Sequence, residues 1–206
     1  MQVVGNPVLV VVDIQGVSSG AGTGSGAAGG SGIPTMGGAA TRLPRAIALV
    51  DSARAHRVPV VFIQEVHKPS LVDIGRELDG AEGPHCIEGD PRTEIADGLD
   101  PRPDEFVVRK RRYSAFFGTE LEIVLKAYKT DTVILIGGLT DVCIHYTAVD
   151  AHQHDYHLKV VTDVVGGSSQ RAHDASLEAI AYLQRDALVS SAEILDYFGG
   201  REKAES

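Results

Sequence analysis

The stretch Val8-Leu-Val-Val-Val12, followed at once by Asp13-Ile-Gln15, decides the fold class of this chain. An unbroken apolar run rich in β-branched residues predicts a strand that is covered on both faces, as in a parallel sheet with helices on either side. Further runs of this kind follow along the chain. The strong ones are 58–63, 132–136 and 158–162, and the weaker ones are 105–108 and 187–190.

Amphipathic helical patterns alternate with these strands. Apolar residues recur at helical spacing over 43–56, 119–128 and 172–183. This alternation predicts an α/β domain of three layers, in which a doubly wound, mostly parallel sheet has helices on both faces. Ligands bind beyond the carboxyl ends of the strands in such sheets, so we look for chemistry there.

The composition predicts a single folded domain over residues 1–206. Hydrophobic residues make up 43% of the chain and charged residues 23%, which is typical of globular proteins. A formal net charge of -9 and a longest basic run of only 109–112 argue against a nucleic-acid partner. The first apolar run is short and has no basic leader, and the two cysteines are too few for a disulfide framework. We therefore expect a cytoplasmic protein with no membrane partner.

Two segments fall outside the strand and helix pattern. Residues 16–38 hold 10 of the 23 glycines and are expected to form a mobile loop or lid. Gly24-Ser-Gly-Ala-Ala-Gly29 fits the dinucleotide pattern G-x-G-x-x-G, but these glycines neither follow the strand directly nor open a helix, so we reject a dinucleotide site. Residues 68–103 are rich in Gly, Pro, Asp and Glu and are expected to form irregular connections over the same end of the sheet. Residues 199–206 are expected to form a disordered tail.

Strand ends carry the residues best suited to catalysis. Asp13 closes the most apolar strand, where a carboxylate is either functional or a salt-bridged cap. The segment 134–144 passes from a strand through Gly137-Gly138 into a helix, so Cys143 is expected near the first helical turn. Free N–H groups there favour a thiolate and can stabilise an oxyanion, although a small buried hydrophobe is the other interpretation of this cysteine.

A third strand end delivers the cationic run Arg109-Lys-Arg-Arg112. Such a run is either a solvated surface or a means of sending one cation into the crevice, where a carboxylate keeps it charged. A reactive thiol needs a proton acceptor and a group that holds the thiolate. An Asp, a Lys and a Cys together supply both.

These motifs resemble those of the isochorismatase-like cysteine hydrolases. The matching segments are Val12-Asp-Ile-Gln15, Lys110-Arg-Arg-Tyr-Ser-Ala-Phe116 and Gly137-Gly-Leu-Thr-Asp-Val-Cys143. The likeness extends from the first strand to the helix near Leu183, and it implies a flavodoxin-like topology in which the Asp, the Lys and the Cys converge.

The resemblance implies a role for each of these residues. Asp13 would carry protons, Lys110 would stabilise the charges on Asp13 and on the thiolate, and Cys143 would form a covalent acyl intermediate. The backbone amides of Leu139 and Cys143 would form the oxyanion hole, and a cis peptide is implied at Gly138–Leu139.

Differences within the family narrow the reaction. Cys143 favours C–N cleavage, since the members that hydrolyse the vinyl ether of isochorismate lack it. Nicotinamidases carry a metal-binding Asp-x-His where this chain has Glu65-Val-His67, so no metal and no other cofactor is expected. The other branches hydrolyse linear amides and carbamoyl compounds, and the ureidoacrylate and biuret type is most similar. A catalytically inactive binding module and a vinyl ether hydrolase are the alternatives.

Residues at strand ends and beside the triad are the expected substrate-binding residues. They are Gln15, Glu65, His67, Tyr113, Phe116 and His145. Four further histidines are expected at the surface or flanking helices: His85, His152, His154 and His157. The resemblance implies a small amide or ureido substrate and a homo-oligomer, either a dimer or a tetramer. A serine hydrolase is excluded, because no G-x-S-x-G follows a strand.

Overall fold

A computed structural model describes residues 1–16 and 33–201 of the chain. Within them, six strands alternate with helices. The strands are β1 (Pro7–Val12), β2 (Val60–Glu65), β3 (Phe106–Lys110), β4 (Thr132–Gly138), β5 (His157–Gly166) and β6 (Leu188–Val189). The helices are α1 (Ala39–Ala55), α2 (Leu121–Ala127), α3 (His145–Gln153), α4 (Gln170–Leu183) and α5 (Ser191–Arg201). A π-helical turn, Thr140–Ile144, leads into α3.

The strands form one parallel sheet in the order β3-β2-β1-β4-β5-β6. Val12 at the end of β1 lies opposite Ile63 of β2 and Gly137 of β4, so the carboxyl ends of the central strands meet at one edge. The predicted doubly wound α/β fold is confirmed. Parallel pairing is what aligns these ends, since every crossover returns the chain to the same starting edge.

Both faces of the sheet are packed, as the apolar run of β1 predicts. Val10 and its alternate neighbours pack with Leu121 of α2 and Ile180 of α4. Leu9 on the opposite face packs with Leu49 of α1 and its neighbours. Burying a side chain of this size stabilises the fold by about 1.5–3 kcal/mol. The two cores fix the central strands and hence the position of their ends.

The last helix, α5, is the main element that the sequence did not predict. Ile194 and Phe198 are fully buried one helical turn apart, in the core that also holds α1. The helix begins where the Ser191 N–H donates to Asp163 Oδ1 over 2.8 Å. It extends to Arg201, so residues 199–201 are helical rather than part of a tail, while residues 202–206 lie outside the described part of the chain.

The glycine-rich segment also falls largely outside the description. Residues 17–32 of the expected lid are not among the described residues, whereas Gly16 and residues 33–38 are. In the described ranges, no helix combines the length and the apolar character needed to cross a membrane.

Candidate active site

Four neighbouring strands each contribute one ionisable side chain to the same edge of the sheet. Lys110 ends β3, Glu65 ends β2, Asp13 follows β1, and Cys143 lies in the turn after β4. Glu65 is paired with Lys110 in the ladder between β2 and β3. All four are buried, with at most 6% of their surface exposed. The sheet order therefore brings together residues that are up to 130 positions apart in sequence, counted from 13 to 143.

The turn between β4 and Cys143 depends on a glycine. Gly137 has a φ of +116°, and a Cβ at this position would lie 1.9 Å from the backbone oxygen of Val12. Only glycine permits this approach of β4 to the end of β1. The peptide bond between Gly138 and Leu139 is cis, as the resemblance implies.

Side chains of α4 hold the π-helical turn that carries Cys143 in place. Thr140 opens the turn, its hydroxyl lies 2.9 Å from His173 Nδ1, and its carbonyl accepts a 2.8 Å hydrogen bond from Ser176. Cys143 is the fourth residue of this turn, so the predicted placement near the start of a helix is confirmed. The sulfur is consequently held at the end of the central strands.

Lys110 is the member of the cationic run that enters the site. Its side chain is fully buried, whereas that of Arg109 is 57% exposed and that of Arg111 pairs with Asp73 at 2.7 Å. This separation follows from strand geometry, since successive side chains point to opposite faces. Arg112 donates to the Asp73 carbonyl over 2.7 Å and stays outside the site.

The Lys110 ammonium lies at the centre of the charged groups. Its Nζ is 2.9 Å from Asp13 Oδ2, donates to Cys143 Sγ over 3.3 Å, and also donates to Glu65 Oε2. Cys143 Sγ is 3.6 Å from the same Glu65 oxygen. Burial would lower the pKa of Lys110, but its anionic neighbours raise that pKa well above the usual range. The lysine is therefore a permanent cation in a buried position.

The two carboxylates differ in basicity. Burial raises the pKa of Asp13 to about 6, although Lys110 acts against this rise. Burial acts upward on Glu65 as well, but Lys110 and the hydrogen bonds from His67 and His85 hold the pKa of this carboxyl well below its usual range. Asp13 is thus the carboxylate whose pKa suits proton transfer near neutral pH.

The resting sulfur is a thiol. Burial, with Asp13 and Glu65 adding to its effect, raises the pKa of Cys143 well above its usual range, and Lys110 compensates only in part. The start of a helix favours a thiolate, as the sequence predicts, but here burial of the sulfur, with the two carboxylates adding to it, outweighs that effect. A proton must therefore leave the sulfur before it can react as a nucleophile.

A pocket of about 310 Å³ lies in front of Cys143. Asp13, Leu139 and Val142 line it beside the sulfur. The other wall of the pocket comes from the end of β2, from the irregular stretch between β2 and β3, and from the segment after β3. This wall consists of Glu65, Glu82, His85, Cys86 and Tyr113.

The expected substrate-binding residues are divided by the structure. Glu65 and Tyr113 line the pocket, and the other four do not. The amide nitrogen of Gln15 donates to Glu65 O at 2.9 Å and to Thr93 O at 2.6 Å, so this residue braces β1 against its neighbours.

The remaining three side chains are used in packing and in hydrogen bonds. His67 is fully buried behind Glu65, Phe116 stacks on His154 and Tyr156, and His145 Nδ1 lies 2.9 Å from Ser176 Oγ. Sequence position beside the motifs could not reveal these orientations.

His85 is the clearest correction to the sequence analysis. It was expected at the surface, but it is 2% exposed and lines the pocket, with Nε2 2.7 Å from Glu65 Oε1. Burial lowers the pKa of His85, but hydrogen bonds with the carboxylates of Glu65 and Glu77 raise it to about 10. The irregular connections expected over 68–103 are present, but without a periodic pattern there the direction of the His85 side chain could not be predicted.

Four buried side chains form a cluster that could hold a metal ion. The donor atoms of Glu65, His67, Glu77 and His85 all lie within 4.8 Å of one another. The expectation of no metal depended on the absence of Asp-x-His, yet Glu65 and His67 have the same i, i+2 spacing and point to the same side. That ground for excluding a metal is therefore removed.

The donor set fits a divalent ion. Two imidazoles and two carboxylates suit Zn²⁺ and similar ions. Both oxygens of Glu77 are buried without a hydrogen-bond partner among the described residues. His85 Nδ1 lies 2.7 Å from the Gly83 carbonyl, which leaves Nε2 directed at the cluster, an arrangement common in metal-binding histidines.

Comparison with known proteins gives one consistent family. A sequence model of the isochorismatase domain matches residues 7–194. Maleamate amidohydrolase of Pseudomonas putida is 40% identical over 91 residues, which cover 44% of this chain and 43% of that protein. Ureidoacrylate amidohydrolase of Methylobacterium radiotolerans is 29% identical over 189 residues, covering 84% of this chain and 72% of that protein.

A solved structure supports the same grouping. The crystal structure of N-carbamoylsarcosine amidase from Thermoplasma acidophilum superimposes with a TM-score of 0.71. It is 28% identical and covers 90% of this chain, which in turn covers 96% of that structure.

Proposed function

Because this chain belongs to the isochorismatase domain family, we propose that it hydrolyses a C–N bond in a small linear amide, carbamoyl or ureido compound through an acyl intermediate on Cys143. The chain is a hydrolase of carbon–nitrogen bonds other than peptide bonds, as are the amidohydrolases it is similar to. The single observation that carries the proposal is the buried Lys110 ammonium, which lies within 3.3 Å of Cys143 Sγ and 2.9 Å of Asp13.

Proton transfer starts the reaction. Asp13, with a pKa of about 6, is ionised at neutral pH and takes the proton of the Cys143 thiol. The thiolate that forms stays next to the Lys110 ammonium, which offsets its charge in a buried site. Glu65 remains ionised throughout and keeps Lys110 oriented.

The thiolate then attacks the substrate carbonyl carbon, and the backbone N–H groups of Leu139 and Cys143 stabilise the oxyanion. The C–N bond breaks as Asp13 returns its proton to the leaving nitrogen, which departs as ammonia or an amine. Water attacks the thioester after giving its proton to Asp13. The C–S bond then breaks, the acid leaves, and Asp13 returns the proton to the sulfur, so that the thiol is restored and one water is consumed for each amide.

A divalent ion held by Glu65, His67, Glu77 and His85 would add a Lewis acid beside the pocket. Even without the ion, these four residues determine how this wall of the pocket is oriented. Glu65 joins the cluster to the triad, since one of its oxygens faces His85 and the other faces Lys110.

An ammonia-release assay tests the proposal. Wild-type protein and Cys143→Ala are compared on ureido, carbamoyl and simple amide compounds. Activity in the wild type that is lost in Cys143→Ala supports the proposal. Equal release by both proteins rejects Cys143 as the nucleophile, and failure of the wild type on every compound favours a binding module on the same fold.

Three wider features belong to the same proposal. We treat residues 1–206 as a single domain. The thiols Cys86 and Cys143 are both free, which suits the reducing cytoplasm. A homo-oligomer, dimer or tetramer, follows from the family resemblance.

A further inference from the structure

One carboxylate in the pocket has no part in the proposed mechanism. Glu82 lies on the wall that faces Cys143, in the irregular stretch between β2 and β3. Its side chain is 11% exposed. The Tyr113 hydroxyl donates to Glu82 Oε2 over 3.2 Å, which fixes the carboxylate in place.

The other oxygen of Glu82 is free to meet a ligand. Oε1 has no hydrogen bond or ion pair with any residue in the described ranges, and it is not among the fully buried polar atoms. An acceptor held by one oxygen and open at the other is suited to a bound N–H group. It faces the same small space as the nucleophile.

The cations near the pocket are already matched by other anions. Lys110 contacts Asp13 and Glu65, and His85 Nε2 lies 2.7 Å from Glu65 but 3.9 Å from Glu82. The lining residues that the structure describes include no arginine and no lysine. Residues 17–32 cannot add one, because their sequence contains no Lys, Arg or His. Of the lining carboxylates that the structure describes, Glu82 is therefore the one that keeps an oxygen without a partner.

Among the described residues that line the neighbouring pocket, Arg42 is the one cation. It lines a separate pocket on the far side of Gly138 and Leu139, and it donates to the Gly37 carbonyl over 2.8 Å. A substrate carboxylate would have to extend past the oxyanion turn to reach it.

We infer that Glu82 selects the substrate: the group at the far end from the scissile amide is a cation or an N–H donor, and a carboxylate there is disfavoured. This inference rests on the proposed function. It separates this chain from the relatives named for maleamate and ureidoacrylate, which are carboxylates. Glu82 is a specificity residue and takes no part in bond breaking.

Alkylation of Cys143 tests the charge of the pocket without turnover. Iodoacetamide is neutral and iodoacetate is anionic, and the same sulfur attacks both. The ratio of their rates at Cys143, read by peptide mass spectrometry, is compared in wild type and Glu82→Gln. We expect the iodoacetate to iodoacetamide ratio to rise about tenfold in E82Q, since a negative charge in the same pocket is removed.

Glu88→Gln is the matched control. Glu88 is 39% exposed, pairs with Lys68 at 2.6 Å, and does not line the pocket. The same change of one charge there should leave the ratio within about twofold, because exposed charges are screened. An unchanged ratio in E82Q, or an equal rise in both variants, overturns the inference.

Turnover of three amides that share the unit CH2–CH2–CONH2 and differ in the group at its other end gives the second test. β-Alaninamide ends in an ammonium, butanamide in a methyl group, and succinamate in a carboxylate. We expect kcat/KM to be highest for β-alaninamide and lowest for succinamate, and E82Q to reduce this preference about tenfold. A preference for succinamate that Arg42→Gln abolishes would overturn the inference while leaving the proposed function intact. Selective alkylation without hydrolysis of any amide would reject the proposed function alone.

Discussion

The ammonium nitrogen of Lys110 lies 3.3 Å from the sulfur of Cys143, although two strands separate β3 from β4 in the sheet. The contact is possible because the side chain of Lys110 crosses the ends of β2 and β1, where it also meets Glu65 and Asp13. Lys110→Met should lower kcat about 10²–10³-fold, as the loss of one preorganised charge does in other enzymes. Steady-state ammonia release measures this.

Lys159→Met is the control for burying a methionine in place of a lysine. Lys159 is also fully buried, but it lies on β5 and its ammonium is 2.7 Å from Asp186. Its replacement should lower stability and leave kcat within about threefold. An equal loss of kcat in both variants would make Lys110 a structural residue.

The basicity of Asp13 predicts the acid limb of the pH profile. The base form is required, so kcat/KM should fall as the pH drops through about 6, where Asp13 becomes protonated. Asp13→Asn should lower kcat/KM about 10²–10⁴-fold and abolish this limb. If the residual activity of that variant kept the same midpoint, the group that titrates would be another one, and Glu65→Gln would be the next variant to measure.

Gly137→Ala should destabilise the fold. A Cβ at 1.9 Å from the Val12 oxygen forces β4 away from β1, and a φ of +116° is unfavourable for alanine. We expect a loss of about 2–4 kcal/mol in the free energy of unfolding, measured by urea denaturation. Gly80→Ala is the control, since nothing lies within 4 Å of its Cβ and its φ is -107°. Comparable losses in the two variants would contradict the steric argument.

The cluster of Glu65, His67, Glu77 and His85 is expected to bind one divalent ion. Equilibrium dialysis against Zn²⁺ with metal analysis should give one equivalent, and Glu77→Gln should weaken binding about 10–100-fold. Glu122→Gln, at a glutamate that pairs with Lys126 at 2.5 Å on the surface, should bind as the wild type does. No binding by the wild type would leave the cluster as a set of buried ion pairs, in agreement with the sequence prediction.

The periodicity of the sequence was sufficient for the fold. The apolar run of β1 predicted a strand buried on both faces, and the glycine turn before Cys143 predicted a helix start, because both features are local. The alternation of side chains along β3 could also have distinguished Lys110 from its arginine neighbours. Which of them points into the site, however, depends on which face of this edge strand is covered. That is a property of the whole sheet.

The far wall of the pocket was beyond the reach of such patterns. Glu77, Glu82 and His85 lie in an irregular stretch where side-chain direction is set by individual backbone angles, such as the φ of +49° at Cys86. The i, i+2 spacing of Glu65 and His67 was the one available signal of the metal cluster. The prediction of no metal depended on an Asp at the first of these positions, where this chain has Glu.

The edge position of β3 has a consequence for resistance to denaturants. Among the described strands, β3 pairs only with β2, so it can detach without disturbing the central strands. Detachment would carry Lys110 out of the site while most of the molecule stays folded. The activity should therefore be lost at a lower urea concentration than the circular dichroism signal of the secondary structure. The amide hydrogens of β3 should also exchange with solvent sooner than those of β1 and β4.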